Sequence, residues 1–249
     1  MRIEYRAALW ALSLLPTNTR ISDLTIFAFM GPTLYYCYDA YCGWCYGFSP
    51  VIKAVFGEYQ EKLAFDVLSG GMILPDPPQP VGAIAPHIQK AYRTVEERTG
   101  IRFGKDWLWH IFNPEESDWY PNSEKPAIAM AVFKDYHHDL AIPFAADLQY
   151  ALHEEGRDLC DDEAYRHLLE KYAIPETGFY DRLHSPLYKE KAYAEFALVK
   201  QLQVTGFPTV LLQVSESKFY LLCRGYTDRE TLKARIDEAL KETSSFPVK

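Results

Sequence analysis

The chain has 249 residues, of which 48% are hydrophobic and 24% are charged, as expected for a globular protein with one large domain or one domain carrying an insert. Its 34 acidic and 26 basic residues give a formal net charge of -8 at pH 7, which argues against nucleic acid and anionic membrane surfaces as partners. No stretch approaches the roughly 18 consecutive apolar residues that a membrane span requires.

Residues 1–30 are predicted to be an extension ahead of the folded domain, and no structure is assigned to them. Two arginines precede an apolar run over residues 7–15, which loosely resembles the start of a signal peptide. Glu4 in the charged region and the lack of a small-x-small cleavage site argue against secretion. Five cysteines without framework spacing favour a reducing cytoplasm, and a periplasmic location stays open if the extension is a signal peptide.

Residues 31–74 predict a β-α-β unit. The first run is rich in aromatic residues, which suits a buried strand, and apolar positions then recur at helical spacing. A strand, a helix and a second strand are predicted over residues 33–38, 43–62 and 63–68. This arrangement places Cys42 and Cys45 at the first junction between strand and helix.

Residues 75–203 are predicted to be an inserted helical domain. A cluster of four prolines opens the segment, and helical patterns dominate after it. The clearest helix begins at Asn122 or Ser123 as N-cap. Further helices are predicted over residues 83–97, 142–155, 161–172 and 187–203.

Residues 204–249 return to strands. Two β-rich runs, over residues 209–214 and 218–223, predict a hairpin. A final helix is expected to begin with Thr227 as N-cap and Glu230 at the capping-box position. The predicted order is therefore β-α-β, a helical block, then β-β-α, in which 31–74 and 204–249 form one α/β domain.

The spacing of Cys42 and Cys45 at the start of the predicted helix suits thiol-disulfide exchange. A thiol attacks a disulfide only as its thiolate, and the unpaired N–H groups and positive dipole at a helix start favour a negative sulfur on Cys42. Gly43 allows a tight turn there. Cys45 follows one helical turn later on the same face, where it can displace a captured substrate. Cys42 is therefore the predicted attacking thiol and Cys45 the resolving thiol.

The same pair could instead be half of a zinc site or a structural disulfide. A tetrahedral zinc site needs two further ligands, but Cys160 and Cys223 stand alone, and His137 and His138 are adjacent. No metal ligands are predicted. A non-catalytic zinc-bound or peptide-binding module stays open as an alternative.

A second motif lies far downstream, at Phe207 and Pro208. Proline at a strand entry is often only a turn residue. Together with an upstream C-x-x-C at a strand-to-helix junction, it predicts a cis bond that exposes the backbone of Phe207 beside the sulfurs, where an extended substrate segment can pair with it.

These features together resemble the DsbA family, and most closely its FrnE-like branch of predicted protein-disulfide isomerases and dithiol oxidoreductases. The residues that carry the resemblance are Tyr38, Asp39, Cys42, Trp44, Cys45, Tyr46, Gly47 and the run T-G-F-P-T over 205–209. The likeness extends from residue 33 to the C-terminus. It implies a thioredoxin fold with a large α-helical insertion and exchange chemistry on protein, peptide or small thiols and disulfides.

The resemblance also implies roles for single residues. Cys42, Cys45 and Pro208 would be catalytic, and the predicted substrate-binding residues are Gly43, Trp44, Thr205 and Phe207. No dissociable cofactor is expected beyond the redox-active cysteine pair, with glutathione as a candidate co-substrate. No oligomeric state is predicted.

The chain departs from the family at two places. Many thioredoxin-like enzymes have a buried carboxylate six positions before the first cysteine, where this chain has Tyr36. Asp39 is the nearest acid, and it could be a base or only a turn former. DsbA has a histidine between its cysteines, where this chain has Gly43 and Trp44, so a weaker oxidant than DsbA is expected.

Kappa-class glutathione transferases and hydroxychromene carboxylate isomerases share the fold and the insert, and they are the alternative within it. They typically carry a serine or an incomplete cysteine pair. The two intact cysteines argue against this alternative.

Overall fold

A five-stranded mixed sheet forms the centre of the protein, for which a computed structural model describes residues 2–4 and 31–244. The strands are β1 (Arg2–Glu4), β2 (Thr33–Tyr38), β3 (Ala64–Ser69), β4 (Thr209–Ser215) and β5 (Lys218–Arg224). Their order across the sheet is β1-β5-β4-β2-β3, in which β2 and β3 are parallel and the other neighbours are antiparallel. The parallel pair requires a crossover connection.

Helix α1 (Gly43–Tyr59) makes this crossover and brings the cysteine pair to the carboxyl end of β2. Its apolar stripe, which includes Phe48, Ile52 and Val55, is buried. The strands that α1 connects are also largely buried, and β2 is rich in aromatic residues.

A block of seven α-helices lies between β3 and β4, and this part of the described chain contains no strand. The helices are α2 (Ala85–Thr99), α3 (Lys105–Phe112), α4 (Glu124–His137), α5 (Ala141–His153), α6 (Arg166–Lys171), α7 (Glu176–Leu183) and α8 (Pro186–Gln201). The rings of Phe133 and Phe144 stack 3.8 Å apart between α4 and α5. Helix α5 also packs against α1 and β3, so it joins the helical block to the sheet.

The chain ends in helix α9 (Arg229–Ser244), and the predicted order of strands and helices is confirmed. The prediction that Thr227 caps this helix is wrong. Asp228 caps it, because its carboxylate accepts both the backbone N–H and the hydroxyl of Thr231, at 2.9 and 2.7 Å.

Three other features differ from the prediction or extend it. Helices α3 and α7 were not predicted. Strand β1 lies within the predicted extension 1–30 and pairs with β5. The rest of that extension, including the signal-like run, lies outside the described residues. None of the helices in the described ranges is long and apolar enough to cross a membrane.

Candidate active site

Cys42 is the N-cap of helix α1. Its backbone is extended, with φ -81° and ψ 106°, and its N–H closes a turn onto the carbonyl of Asp39 at 3.1 Å. The sulfur of Cys42 accepts the backbone N–H of Cys45 at 3.3 Å, as the oxygen of a capping serine would. A backbone donor and the positive end of the helix dipole are thus directed at this sulfur.

Cys45 differs from Cys42 in its surroundings. It is completely buried, and this burial raises the pKa of its thiol well above the ordinary value, with the neighbouring Cys42 raising it further. Cys45 therefore stays protonated, whereas the largely buried Cys42 retains slight exposure. This asymmetry matches an attacking thiol followed by a resolving thiol.

The downstream motif lies directly beside the first cysteine. The peptide bond between Phe207 and Pro208 is cis, and the Cys42 thiol donates to the carbonyl of Phe207 at 3.7 Å. Pro208 is buried, and its own carbonyl accepts the N–H of Gly225 at 2.7 Å. Residues 165 positions apart in the sequence therefore meet at one point.

The other predicted substrate-binding residues surround this point less closely. Trp44 is half-buried against the core, and Thr205 is exposed in the turn before Phe207. Gly43 faces the ring of Phe103, which a Cβ at position 43 would meet at 3.2 Å. Gly43 therefore serves close packing at the start of the helix as well as the tight turn.

Asp39 organises the loop that leads to Cys42. The side chain is buried, and its oxygens accept hydrogen bonds from the backbone N–H groups of Tyr41 and Met72 and from the hydroxyl of Ser123, at 3.0, 2.7 and 2.9 Å. Burial raises the pKa of Asp39, although these hydrogen bonds act to lower it. The carboxylate thus ties the end of β2 to the segment after β3 and to the start of α4.

Ser123 flanks helix α4 as predicted, but its hydroxyl does not cap that helix. It donates to Asp39 and accepts the N–H of Ile73 at 3.0 Å, a role that the sequence analysis missed. Tyr36, at the position where related enzymes have a carboxylate, is also buried, and its hydroxyl is 3.5 Å from the backbone oxygen of Cys45. Two side chains of α5, Gln149 and His153, complete the surroundings of the loop.

The remaining cysteines are Cys37, Cys160 and Cys223, and none of the five cysteines forms a disulfide within the described residues. Burial raises the pKa of Cys223 to about 12 and also raises the pKa of Cys37. Cys160 is half-buried, with its sulfur 3.4 Å from the hydroxyl of Tyr41. Within residues 2–4 and 31–244, no group of three or more His, Cys, Asp or Glu side chains is placed to hold a metal ion.

Gly70 leaves the space that the ring of Phe207 occupies, since a Cβ at position 70 would lie 2.0 Å from that ring. We expect Gly70→Ala to displace the ring and to raise the KM for a peptide disulfide severalfold, with a loss of about 1–3 kcal/mol in the free energy of unfolding. Steady-state kinetics and thermal denaturation measure the two effects. Gly57→Ala is the matched control, because no atom of the described ranges lies within 4 Å of the added methyl group, and it should stabilise α1 by about 0.5–1 kcal/mol without a change in KM. An unchanged KM in Gly70→Ala would show that the position of the Phe207 ring does not affect substrate binding.

Comparison with known proteins agrees with this geometry. Residues 33–237 match the family of DSBA-like thioredoxin domains. No curated protein sequence matches the chain. A proposed protein disulfide isomerase from Nitrosomonas europaea is 25% identical, with a TM-score of 0.72, and the alignment covers 85% of this chain and 98% of that chain.

The cytosolic disulfide reductase DsbM from Pseudomonas aeruginosa is also 25% identical, with a TM-score of 0.66 and coverage of 84% of this chain and 99% of that chain. Its structure with GSH gives a TM-score of 0.65 over the same coverage. A 2-hydroxychromene-2-carboxylate isomerase is 12% identical with a TM-score of 0.57, which is a likeness of fold alone. The thioredoxin fold with its helical insertion is thereby confirmed.

Proposed function

Because the chain belongs to the DSBA-like thioredoxin domain family, we propose that it is a thiol-disulfide oxidoreductase in which Cys42 attacks and Cys45 resolves. The observation that carries the proposal is the position of the Cys42 sulfur, at the N-cap of α1 and 3.7 Å from the carbonyl of Phe207. An N-cap sulfur is stabilised as a thiolate, and an exposed backbone next to it can bind a substrate in extended form.

The proposed reaction balances in two steps. The Cys42 thiolate attacks one sulfur of a substrate disulfide, the substrate S–S bond breaks, and the first substrate thiolate leaves with the electron pair. The proton of Cys45 passes to this departing thiolate, and the Cys45 sulfur attacks Cys42. The mixed disulfide breaks, and the second substrate sulfur leaves as a thiolate that takes up from solvent the proton that Cys42 had lost to it. The substrate gains two electrons and two protons, and the enzyme becomes the Cys42–Cys45 disulfide.

Glutathione is the proposed thiol that returns the oxidised enzyme to its dithiol state, through the same steps in reverse. Support comes from the similar reductase DsbM, whose structure contains GSH and which is described as cytosolic. In a reducing cytoplasm this supply of thiol would favour reduction or isomerisation of substrate disulfides. The proposal requires no dissociable cofactor or metal, and it places the protein in the FrnE-like branch.

Equilibration of the purified protein in glutathione buffers of graded ratio tests the proposal. We expect one two-electron transition between the dithiol and a disulfide that mass spectrometry maps to Cys42 and Cys45. The midpoint should be more negative than the value of about -120 mV for DsbA. Cys160→Ser should give the same transition. A protein whose Cys42 and Cys45 stay reduced at every ratio, or whose disulfide forms elsewhere, would contradict the proposal.

A further inference from the structure

Two neighbouring carbonyl groups just ahead of Cys42 are held by helix α5. The side-chain amide of Gln149 donates to the carbonyl of Asp39 at 3.2 Å, and the ring Nε2 of His153 lies 3.2 Å from the carbonyl of Ala40. Gln149 and His153 are four residues apart, so they lie on one face of α5. Both side chains are almost completely buried.

The carbonyl group that Gln149 binds belongs to Asp39, which is also hydrogen-bonded to the backbone of Cys42. Its carbonyl also accepts the N–H of Cys42 at 3.1 Å, which closes the turn that places Cys42 at the N-cap. A shift of this carbonyl would therefore disturb the turn that places the Cys42 sulfur at the N-cap.

Gln149 also reaches the far side of the cysteine pair. Its side-chain oxygen accepts the hydroxyl of Ser49 at 2.7 Å, and the same hydroxyl lies 3.2 Å from the carbonyl of Cys45. Gln149 thus connects the loop before Cys42 with the first turns of α1 after Cys45. A residue that only filled space here would need no polar group.

His153 carries its polar group into an aromatic cage. Its ring stacks on Tyr46 at 5.1 Å between centroids, and Trp107 meets it edge-on at 4.9 Å. Burial lowers the pKa of His153 to about 3, so the ring is neutral and Nε2 is the donor to Ala40. Its Nδ1 has no hydrogen-bond partner among the residues that the structure describes, and a buried nitrogen without a partner is destabilising. Phenylalanine would fill the cage without this cost, so the function of the histidine lies in its bond to Ala40.

We propose that Gln149 and His153 are positioning residues, which hold the carbonyls of Asp39 and Ala40 so that the Cys42 sulfur stays at the N-cap of α1. This inference rests on the proposed function, because it assigns the two residues to the reactivity of Cys42. The inserted helical block thereby takes part in the chemistry of the cysteine pair, through α5.

The rate of Cys42 alkylation by iodoacetamide at pH 7, followed by mass spectrometry of the reduced protein, tests this role. In Gln149→Leu and His153→Phe each carbonyl loses the side-chain donor that α5 supplies, while the site keeps its bulk. We expect each variant to alkylate about three- to tenfold more slowly than the wild type, the effect of losing one hydrogen bond. His153→Gln should recover most of the rate, because its amide N–H can replace Nε2–H although it fills the aromatic cage less well than phenylalanine.

Leu148→Ala is the control for a general loss of stability, since Leu148 is fully buried on the same helix and has no polar group. It should lower the Tm at least as much as His153→Phe and leave the alkylation rate unchanged. Wild-type alkylation rates in Gln149→Leu and His153→Phe would overturn the positioning role. A slowing in Leu148→Ala and His153→Gln as large as in those two variants would also overturn it. An unreactive Cys42 in the wild type would instead contradict the proposed function, so the two failures are distinguishable.

Discussion

Cys42→Ser should abolish thiol-disulfide exchange, and Cys45→Ser should leave a protein that captures substrate without releasing it. A serine oxygen cannot form a disulfide, so loss of the attacking sulfur should reduce turnover by roughly a thousandfold or more. In Cys45→Ser the Cys42 sulfur keeps its N-cap position, because the bond it accepts comes from the backbone N–H of residue 45. Reaction with oxidised glutathione should then stop at the mixed disulfide.

Intact mass spectrometry, peptide mapping and insulin reduction measure the adduct, its position and the activity. Cys160→Ser is the control, since Cys160 is the half-buried cysteine outside the pair, and it should keep both activity and resolution. An adduct on Cys160 instead of Cys42 in the Cys45→Ser protein would show that Cys42 is not the attacking thiol. Full activity in Cys42→Ser would remove the proposed mechanism altogether.

Local sequence patterns predict most of this fold, because the sheet and the long helices have strong periodicity. Strand β2 is predicted to the residue, and helix α1 begins at Gly43 as predicted. Helices α3 and α7 have only eight residues each and no side-chain cap, so neither has enough turns to show a helical spacing of apolar residues. The N-cap of α9 lies one residue later than predicted, because Asp228 is as good an N-cap as Thr227.

The residues of the candidate site likewise fall into those that the sequence predicts and those that it does not. Cys42, Cys45 and Pro208 belong to short motifs, and chemistry can be read from such motifs directly. The contacts of Ser123, Gln149 and His153 with the loop span 84, 110 and 113 residues of sequence. Polar residues at these positions look like ordinary parts of helices, so only the packing of the helical block on the sheet shows what they hold.

Strand β3, which leads to this site, lies at one edge of the sheet and is stabilised by a buried charge cluster. Lys134 of α4 donates to the backbone carbonyl of Val67 and forms ion pairs with Asp66 and Glu195 at 2.7 and 2.8 Å. Glu195 of α8 also accepts the N–H of Ser69 at 2.9 Å. Burial acts to lower the pKa of Lys134, but the attraction of the two carboxylates outweighs it and raises the pKa above its ordinary value. These side chains replace the missing neighbouring strand.

Lys134→Met should therefore lower the free energy of unfolding by about 3–5 kcal/mol, because it removes the one ammonium group that two largely buried carboxylates and a carbonyl share. Urea unfolding measures the loss. Lys191→Met is the matched control, since Lys191 pairs with Asp135 at 3.0 Å on the surface, and this change should cost no more than about 1 kcal/mol. Adding Glu195→Gln to Lys134→Met should recover part of the stability, because the amide oxygen can still accept the N–H of Ser69 while one unpaired charge is removed. Equal losses in the two lysine variants would mean that the cluster at β3 contributes no more than a surface ion pair.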